Sequence, residues 1–183
     1  MTTHNVSGAK GEGRPVREPA GREGPIPLEK LAAVARSGTP ALHLYRIALN
    51  AAVSELEASF GSIFLRDSLN PSLLQLACAR NWPQASARFM ARMRIRLGRG
   101  ATGLAVSENR VVETEDVFAD LSLQEWWEPA RELGFTAAAA LPLRADGRTE
   151  GALTLYFAKP RKLQESERLF LDQLGHQLSA ALE

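Results

Sequence analysis

Residues 97–103 read LGRGATG and contain the spacing G-x-G-x-x-G at Gly98, Gly100 and Gly103. This spacing is typical of a dinucleotide-binding turn when it follows a buried parallel strand. The preceding residues 92–97 (RMRIRL) alternate arginine with apolar side chains, so one face of a strand here is charged and the other apolar. A parallel strand covered on both faces reads as a near-continuous apolar run instead. The stretch therefore predicts a half-exposed strand of an antiparallel sheet, followed by a short helix.

The residues after the glycines also argue against a dinucleotide site. Glu115, Asp116 and Asp120 do lie roughly 20 residues on, where such a site places a carboxylate for the ribose. However, only residues 104–109 are available for a helix before the next apolar run begins at Val111. A crossover between parallel strands needs about a dozen residues or more. The motif is therefore disfavoured as a site for a nucleotide cofactor.

The composition indicates one soluble domain with a substantial core. The chain has 183 residues, 45% of them apolar, and carries 22 Lys and Arg against 21 Asp and Glu. This balance provides no overall charge that would attract nucleic acid or a membrane surface. No apolar run approaches the roughly 20 residues needed to span a bilayer, and the N-terminus lacks the apolar segment of a secretory signal. We expect a cytoplasmic protein without nucleic-acid or membrane partners.

Cys78 is the one cysteine in the sequence. It allows no internal disulfide, and no cluster of Cys and His has the spacing of metal ligands. Since Cys78 shares one face of a predicted strand with Leu74 and Leu76, we expect a buried structural thiol rather than a reactive one. The sequence thus predicts no metal site and leaves any cofactor unknown.

The chain divides into three parts. Residues 1–27 are rich in Gly, Pro and charge without apolar periodicity, which predicts a disordered tail. Residues 28–38 predict a short helix or linker, and residues 39–183 predict the domain itself. Periodicity and turn signals within the domain predict helices over 41–58, 101–109, 123–133 and 164–182, strands over 62–66, 73–80, 90–97 and 111–115, and a hairpin of 137–143 with 152–157.

This order of elements predicts an α+β fold. A central antiparallel sheet would carry the N- and C-terminal helices on one face. The apolar surface of the first helix, over residues 41–58, is broad enough to suggest two partners, the domain's own sheet and a second surface. The C-terminal helix over residues 164–182 is rich in leucine. We therefore expect a homodimer formed through the terminal helices.

Two adjacent tryptophans and a run of alanines mark the candidate ligand site. Trp126 and Trp127 point about 100° apart on a helix, so one is expected to pack and the other to line a cavity. The alanines at 137–140 are poor strand formers and small, which favours unfilled volume above the sheet. Close packing of a helix onto this strand is the alternative. The expected pocket lining is Trp126, Trp127, Phe135, Ala139, Leu141 and Thr154, with Arg110 as a charged anchor.

The arrangement resembles a GAF domain over about residues 41–183. Members of that family show a glycine-rich turn before a short helix, a short strand ending in an acid, and a closing hairpin in which one strand ends in Pro and the next begins with Gly. Their final helix often ends in Gln followed by small and apolar residues. The matching positions here are Gly100, Gly103, Ala105, Val111, Val112 and Asp116, then Leu141-Pro142-Leu143, Gly151 to Leu155, and His176 to Leu182.

The resemblance implies a PAS-related fold and a small-molecule-sensing or dimerising module of bacterial signalling proteins, with a downstream signalling partner. Cyclic-nucleotide-binding members carry an Asn-Lys…Phe…Asp-Glu signature, which Asn109-Arg110 and Phe118-Ala119-Asp120 echo without completing. Free methionine sulfoxide reductases of the family use cysteines near the glycine-rich turn, where this chain has Ala101 and Thr102. We therefore expect a sensory module that is not an enzyme. The alternatives are a GAF-type redox enzyme and a ligand-free dimerisation or adaptor domain.

Overall fold

A computed structural model of the protein describes residues 33–34, 37–86 and 92–182. The predicted disordered tail over residues 1–27 lies outside the described residues, as does most of the short helix or linker predicted over residues 28–38. The predicted strand over residues 90–97 is described only from residue 92 onwards.

The described strands form a single antiparallel sheet in which neighbours along the chain do not always pair. Its spatial order is β3-β2-β1-β6-β5-β4, so the first and last long strands meet in the centre. This confirms the α+β fold with a central antiparallel sheet. The strands are β1 Phe60–Arg66, β2 Leu73–Arg80, β3 Arg94–Arg96, β4 Val112–Thr114, β5 Ala137–Ala145 and β6 Arg148–Phe157.

The hairpin of β5 and β6 is closed by Asp146 and Gly147. Both residues have positive φ, +49° and +70°, which is the conformation of the tight turn that an Asp-Gly pair favours. The turn sets the register in which Ala138 lies opposite Tyr156, Ala139 opposite Leu155 and Ala140 opposite Thr154. Residues that lie opposite each other on β5 and β6 point to the same face of the sheet. The register set by the turn therefore decides which alanines of β5 point to each face.

The glycine-rich stretch joins an edge strand to a helix, as its alternation predicts. β3 pairs only with β2, its Arg94 and Arg96 are exposed, and Ile95 between them is 2% exposed. Gly103 lies so close to the carbonyl oxygen of Arg96 that a Cβ atom would be 2.3 Å from it. Close packing of the turn against its own strand therefore accounts for this glycine without a bound phosphate.

Helices cover both faces of the sheet. The N-terminal helix α1 and the C-terminal helix α4 lie together on one face, where they share a core with Ile63, Leu153 and Leu155. The short helix α2 and the segment that leads into α3 cover the other face. The helices are α1 Ala41–Glu55, α2 Gly100–Glu108, α3 Trp127–Leu133 and α4 Glu165–Leu182, with 3₁₀ turns at Gln84–Ser86 and Leu121–Trp126.

The broad apolar surface of α1 is covered mostly by this chain itself. Leu44, Tyr45, Leu49 and Val53 are each at most 6% exposed against the sheet and α4. Leu42 is the exposed member of the set, at 43%. The width of this surface is therefore explained by two partners within the domain, and it does not by itself require a second copy.

Candidate functional site

A small cavity lies on the face of the sheet away from the terminal helices. It has a volume of about 30 Å³, enough for one or two water molecules at roughly 10–15 Å³ each. The sheet forms its floor, the start of α2 one wall, and the Trp126 segment the other wall. Its lining residues are Gly100, Ala101, Thr102, Thr114, Leu123, Trp126, Phe135, Ala138, Thr154 and Tyr156.

Strand alternation places the floor residues. On β6, Thr154 and Tyr156 point to the cavity, whereas Leu153 and Leu155 point to the terminal helices. On β5, Ala138 reaches the cavity and is 8% exposed. A floor that alternates in this way exposes one small side chain and two hydroxyl groups to the cavity.

The hydroxyl groups of the floor form a buried network. Thr102 Oγ1 and Thr154 Oγ1 are 2.8 Å apart, and Ser62 Oγ donates to the Tyr156 hydroxyl at 3.4 Å. Burial raises the pKa of Tyr156, partly offset by hydrogen bonds from Ser62, Thr102 and Thr154. The phenol therefore stays neutral at physiological pH. No carboxylate, ammonium or guanidinium group is among the lining residues, so the cavity favours an uncharged occupant.

Trp126 ends a 3₁₀ turn and Trp127 begins α3, so the helix predicted over residues 123–133 is divided between them, and the two indoles have different contacts. Trp127 packs, and its Nε1 donates to the carbonyl oxygen of Val117 at 2.7 Å. Trp126 lines the cavity, and its buried Nε1 has no hydrogen-bond partner within the described part of the chain. A buried donor without a partner is uncommon in folded proteins and calls for a specific explanation.

Gly100 fixes the position of the Trp126 ring against α2. Its φ is +60°, and a Cβ atom there would lie 2.7 Å from the indole. A side chain at this position is disfavoured both by the left-handed backbone and by the contact with the ring. The glycine therefore allows the indole to close the cavity.

Three of the predicted site residues meet at this cavity, namely Trp126, Phe135 and Thr154. Trp127 lies beside them without lining it, since its indole is engaged with Val117.

The placement of Ala139 and Leu141 in the same pocket is corrected. Both belong to the core cluster beneath α1 and α4, on the opposite face of the sheet. Ala139 is opposite Leu155, and both point away from Thr154. Because the side-chain period of a strand is two, choosing Ala139 instead of Ala138 moves the residue to the wrong face.

Arg110 is also remote from the cavity. It is exposed and pairs with Glu108 at 2.6 Å. Together with Leu141 and His176 it lines a separate, open cleft of about 480 Å³ between α4 and the β5–β6 hairpin. Its expected role as an anchor for a ligand beside Trp126 does not fit this position.

The sequence reasoning missed the residues that complete the cavity. Gly100 lies in the glycine-rich turn and Thr102 in the helix predicted after it, and neither is among the expected lining residues. Tyr156 and Ala138 follow from period-two alternation starting at Thr154, once the register of the hairpin is known. Thr114 comes from an edge strand whose pairing partner is β5.

Cys78 lies on the face of the sheet that carries the terminal helices. It is 8% exposed in the same cluster as Leu153 and Leu155. Burial raises the pKa of its thiol to about 11, which leaves little thiolate near neutral pH. The expectation of a buried thiol is confirmed, and the sheet separates this thiol from the cavity.

Two absences hold for the part of the chain that the structure describes. None of its helices is both long and apolar enough to span a membrane. No group of three or more His, Cys, Asp or Glu side chains there is placed to hold a metal ion.

Solved structures share this fold at low sequence identity. The free methionine-R-sulfoxide reductase from Neisseria meningitidis, in complex with its substrate, is 22% identical, with a TM-score of 0.68 and 85% of each chain covered. The GAF domain of an Acinetobacter phosphoenolpyruvate-protein phosphotransferase is 18% identical, with a TM-score of 0.64 over 85% of this chain and 89% of that one. A domain of a two-component sensor histidine kinase protein from Sinorhizobium meliloti is 20% identical, with a TM-score of 0.59 over 76% and 88%.

The comparison with curated proteins found no match. The family model described as GAF domain matches residues 42–183, which includes every described strand and all of the cavity lining. The matched range begins within α1 and ends after α4, so it spans the whole sheet with both covering layers. On this match and this fold, the chain belongs to the GAF domain family.

Proposed function

We propose that this protein is a sensory or regulatory module of a signalling system and that it binds a small molecule at the Trp126 cavity. The observation that carries the proposal is the unpartnered, buried Nε1 of Trp126 beside a network of neutral hydroxyl groups. Such a donor is satisfied when an acceptor occupies the cavity. The proposal places the module in the cytoplasm, with a downstream signalling protein as its partner.

The present volume corresponds to a closed form of the site. About 30 Å³ accommodates water but no metabolite, and small-molecule sites have volumes of roughly 300–1,000 Å³. A ligand therefore requires the Trp126 segment to move away from α2. This requirement suits a sensor, because a ligand that binds only the open form shifts the balance between the two forms.

The proposal does not include enzymatic activity. The structural relatives include a methionine sulfoxide reductase, so a redox enzyme is the principal alternative. Thiol-based redox chemistry needs a reactive thiolate and usually a resolving thiol. This sequence has one cysteine, and it is buried on the opposite face of the sheet from the cavity with a raised pKa.

Native mass spectrometry of protein purified from its own host tests the proposal. We expect a fraction of the wild-type protein to retain a small molecule. Ala138→Val, which fills the cavity, should abolish retention, whereas the matched variant Ala139→Val on the opposite face should preserve it in the folded fraction. A wild-type protein without retained mass, and without response to a metabolite library, would favour the ligand-free adaptor.

Dimerisation through the terminal helices is a second candidate role. Leu42 on α1 and Leu169 on α4 are large apolar side chains that are 43% and 58% exposed. The two helices share one face of the sheet, so a symmetric contact through both is the proposed arrangement. Sedimentation at micromolar concentration should show a dimer, and Leu42→Glu with Leu169→Glu should give a folded monomer whose melting temperature no longer depends on protein concentration. A monomeric wild-type protein would contradict this role.

A further inference from the structure

Trp126 separates the inner cavity from a second, larger space. The same side chain lines an outer groove of about 390 Å³ that opens to solvent. The other residues of this groove are Arg94, Ile95, Arg96, Arg99, Glu125 and Pro129. The indole therefore forms a wall between two spaces of different polarity, an uncharged cavity on one side and an arginine-lined groove on the other.

The charges of the groove are only partly neutralised. Arg94 is paired with Asp67, with Nε 3.1 Å from Oδ2. Arg99 Nε lies 3.7 Å from Glu125 Oε1, and the two side chains are 58% and 50% exposed. An ion pair this long and this exposed is a weak contact. Arg96 forms no ion pair within the ranges 33–34, 37–86 and 92–182. Arg96 and Arg99 thus present guanidinium groups that an anion can bind in a bidentate manner.

The contact between Arg99 and Glu125 links the two sides of the indole wall. Arg99 immediately precedes α2, and Glu125 immediately precedes Trp126. An anion that binds Arg99 competes with Glu125 for the guanidinium group. Binding in the groove therefore removes one of the contacts between the Trp126 segment and the start of α2.

We infer that Trp126 is a gate and that the ligand of this domain is an amphipathic anion, with an uncharged acceptor-bearing or apolar body in the inner cavity and a carboxylate, sulfonate or phosphate group on Arg96 and Arg99. This inference rests on the proposed function, since it assigns a ligand class to the same site. The body occupies the cavity, which is enlarged when the indole moves away from α2. The displaced indole and the anionic group occupy the groove.

A matched pair of fluorescent probes tests the ligand class. 1-Anilinonaphthalene-8-sulfonate carries an anionic group, and 1-anilinonaphthalene has the same ring system without it. We expect the sulfonate probe to bind the wild-type protein at least about tenfold more tightly than the uncharged probe, because two charge-assisted contacts are added. The double variant Arg96→Gln/Arg99→Gln should remove this preference, so that the two probes bind it with affinities within about twofold of each other.

The control carries the same change of charge outside the groove. Arg80→Gln/Arg92→Gln replaces two exposed arginines that do not line it, so the preference for the sulfonate should persist. An equal loss in both double variants would overturn the assignment of the anionic group to the groove. Near-ultraviolet circular dichroism of each variant confirms that probe binding reports a folded protein.

The gate has its own readout in the indole N–H signals. The sequence has three tryptophans, so Trp126→Phe and Trp127→Phe assign two of the three signals directly. We expect the sulfonate probe to shift the Trp126 signal strongly, because its free N–H gains an acceptor or a new environment. The Trp127 signal, which is already bonded to Val117, should move little.

The outcomes separate the inference from the proposed function. If the uncharged probe shifts the Trp126 signal and the sulfonate adds no affinity, the small-molecule site stands and the ligand class is wrong. If a probe binds without shifting the Trp126 signal, the gate is wrong. If neither probe binds, both the inference and the site proposed above are overturned.

Discussion

Neighbouring alanines on opposite faces of one strand give the sharpest test of the cavity. Ala138 lines the cavity and Ala139 is 2% exposed in the core beneath the terminal helices. Valine favours a strand at both positions, so the change in strand propensity cancels between Ala138→Val and Ala139→Val. Any difference in the free energy of unfolding between the two variants therefore reports packing.

The structure sets the size of this difference. A void of about 30 Å³ is worth at most about 0.7 kcal/mol at 24 cal/mol per Å³. Filling it offsets part of the strain of the added methyl groups, so Ala138→Val should lie within about 1 kcal/mol of the wild type. Ala139→Val overpacks a filled core and should cost about 1–3 kcal/mol.

Urea denaturation measures the two variants directly. With a slope of about 1–3 kcal/mol per M, a difference of 1 kcal/mol separates the midpoints by roughly 0.3–1 M. The slope should stay constant, since neither change alters the surface exposed on unfolding. An Ala138→Val variant as unstable as Ala139→Val, or more so, would show that the site beside Trp126 is close-packed and would refute the cavity.

Three further predictions follow from other residues. Cys78 should react with thiol reagents far more slowly in the folded protein than after unfolding, because burial raises its pKa to about 11. Rapid labelling of the folded protein at neutral pH, together with loss of ligand retention in Cys78→Ser, would argue for a functional thiol. Glu113 is ionised in a pair with Arg168 and accepts from the backbone N–H of Leu163, and both contacts hold its pKa below the usual value of a glutamate. Ionised Glu113 thus stabilises the fold above that usual value, and this stabilisation is lost as the pH falls through the lowered pKa. Glu113→Gln should therefore lower the urea midpoint at pH 7 and lose less stability than the wild type on acidification. An identical dependence of stability on pH in the variant and the wild type would show that the pair contributes nothing. Gly100→Ala should lower the free energy of unfolding by about 1–3 kcal/mol, because alanine is strained in the left-handed backbone conformation. The added Cβ should also displace the Trp126 ring, so the indole fluorescence of the variant should differ from that of the wild type.

Local sequence signals determined most of the elements. The alternation of residues 92–97 predicted a half-exposed strand, and β3 is the edge strand with exposed Arg94 and Arg96. The pair Asp146-Gly147 favours a tight turn, and both residues have the positive φ that such a turn requires. Gly134 follows α3 at φ +75°, the left-handed conformation in which glycine commonly ends a helix. These features depend on neighbours within a few residues, so the sequence alone is sufficient to specify them.

Which side chains point to each face of the sheet was decided only by the tertiary structure. The alanines at 137–140 are indistinguishable by composition, and only the pairing register between β5 and β6 decides that Ala138 meets the cavity and Ala139 the terminal helices. The same holds for α1, whose broad apolar surface packs against both the sheet and α4. Short-range patterns fix which residues alternate, whereas long-range packing fixes what each alternating face contacts, and a shift of one residue exchanges the two faces. The sequence by itself therefore determined the fold class and the Trp126 segment, and the tertiary structure decided which side chains line the site beside it.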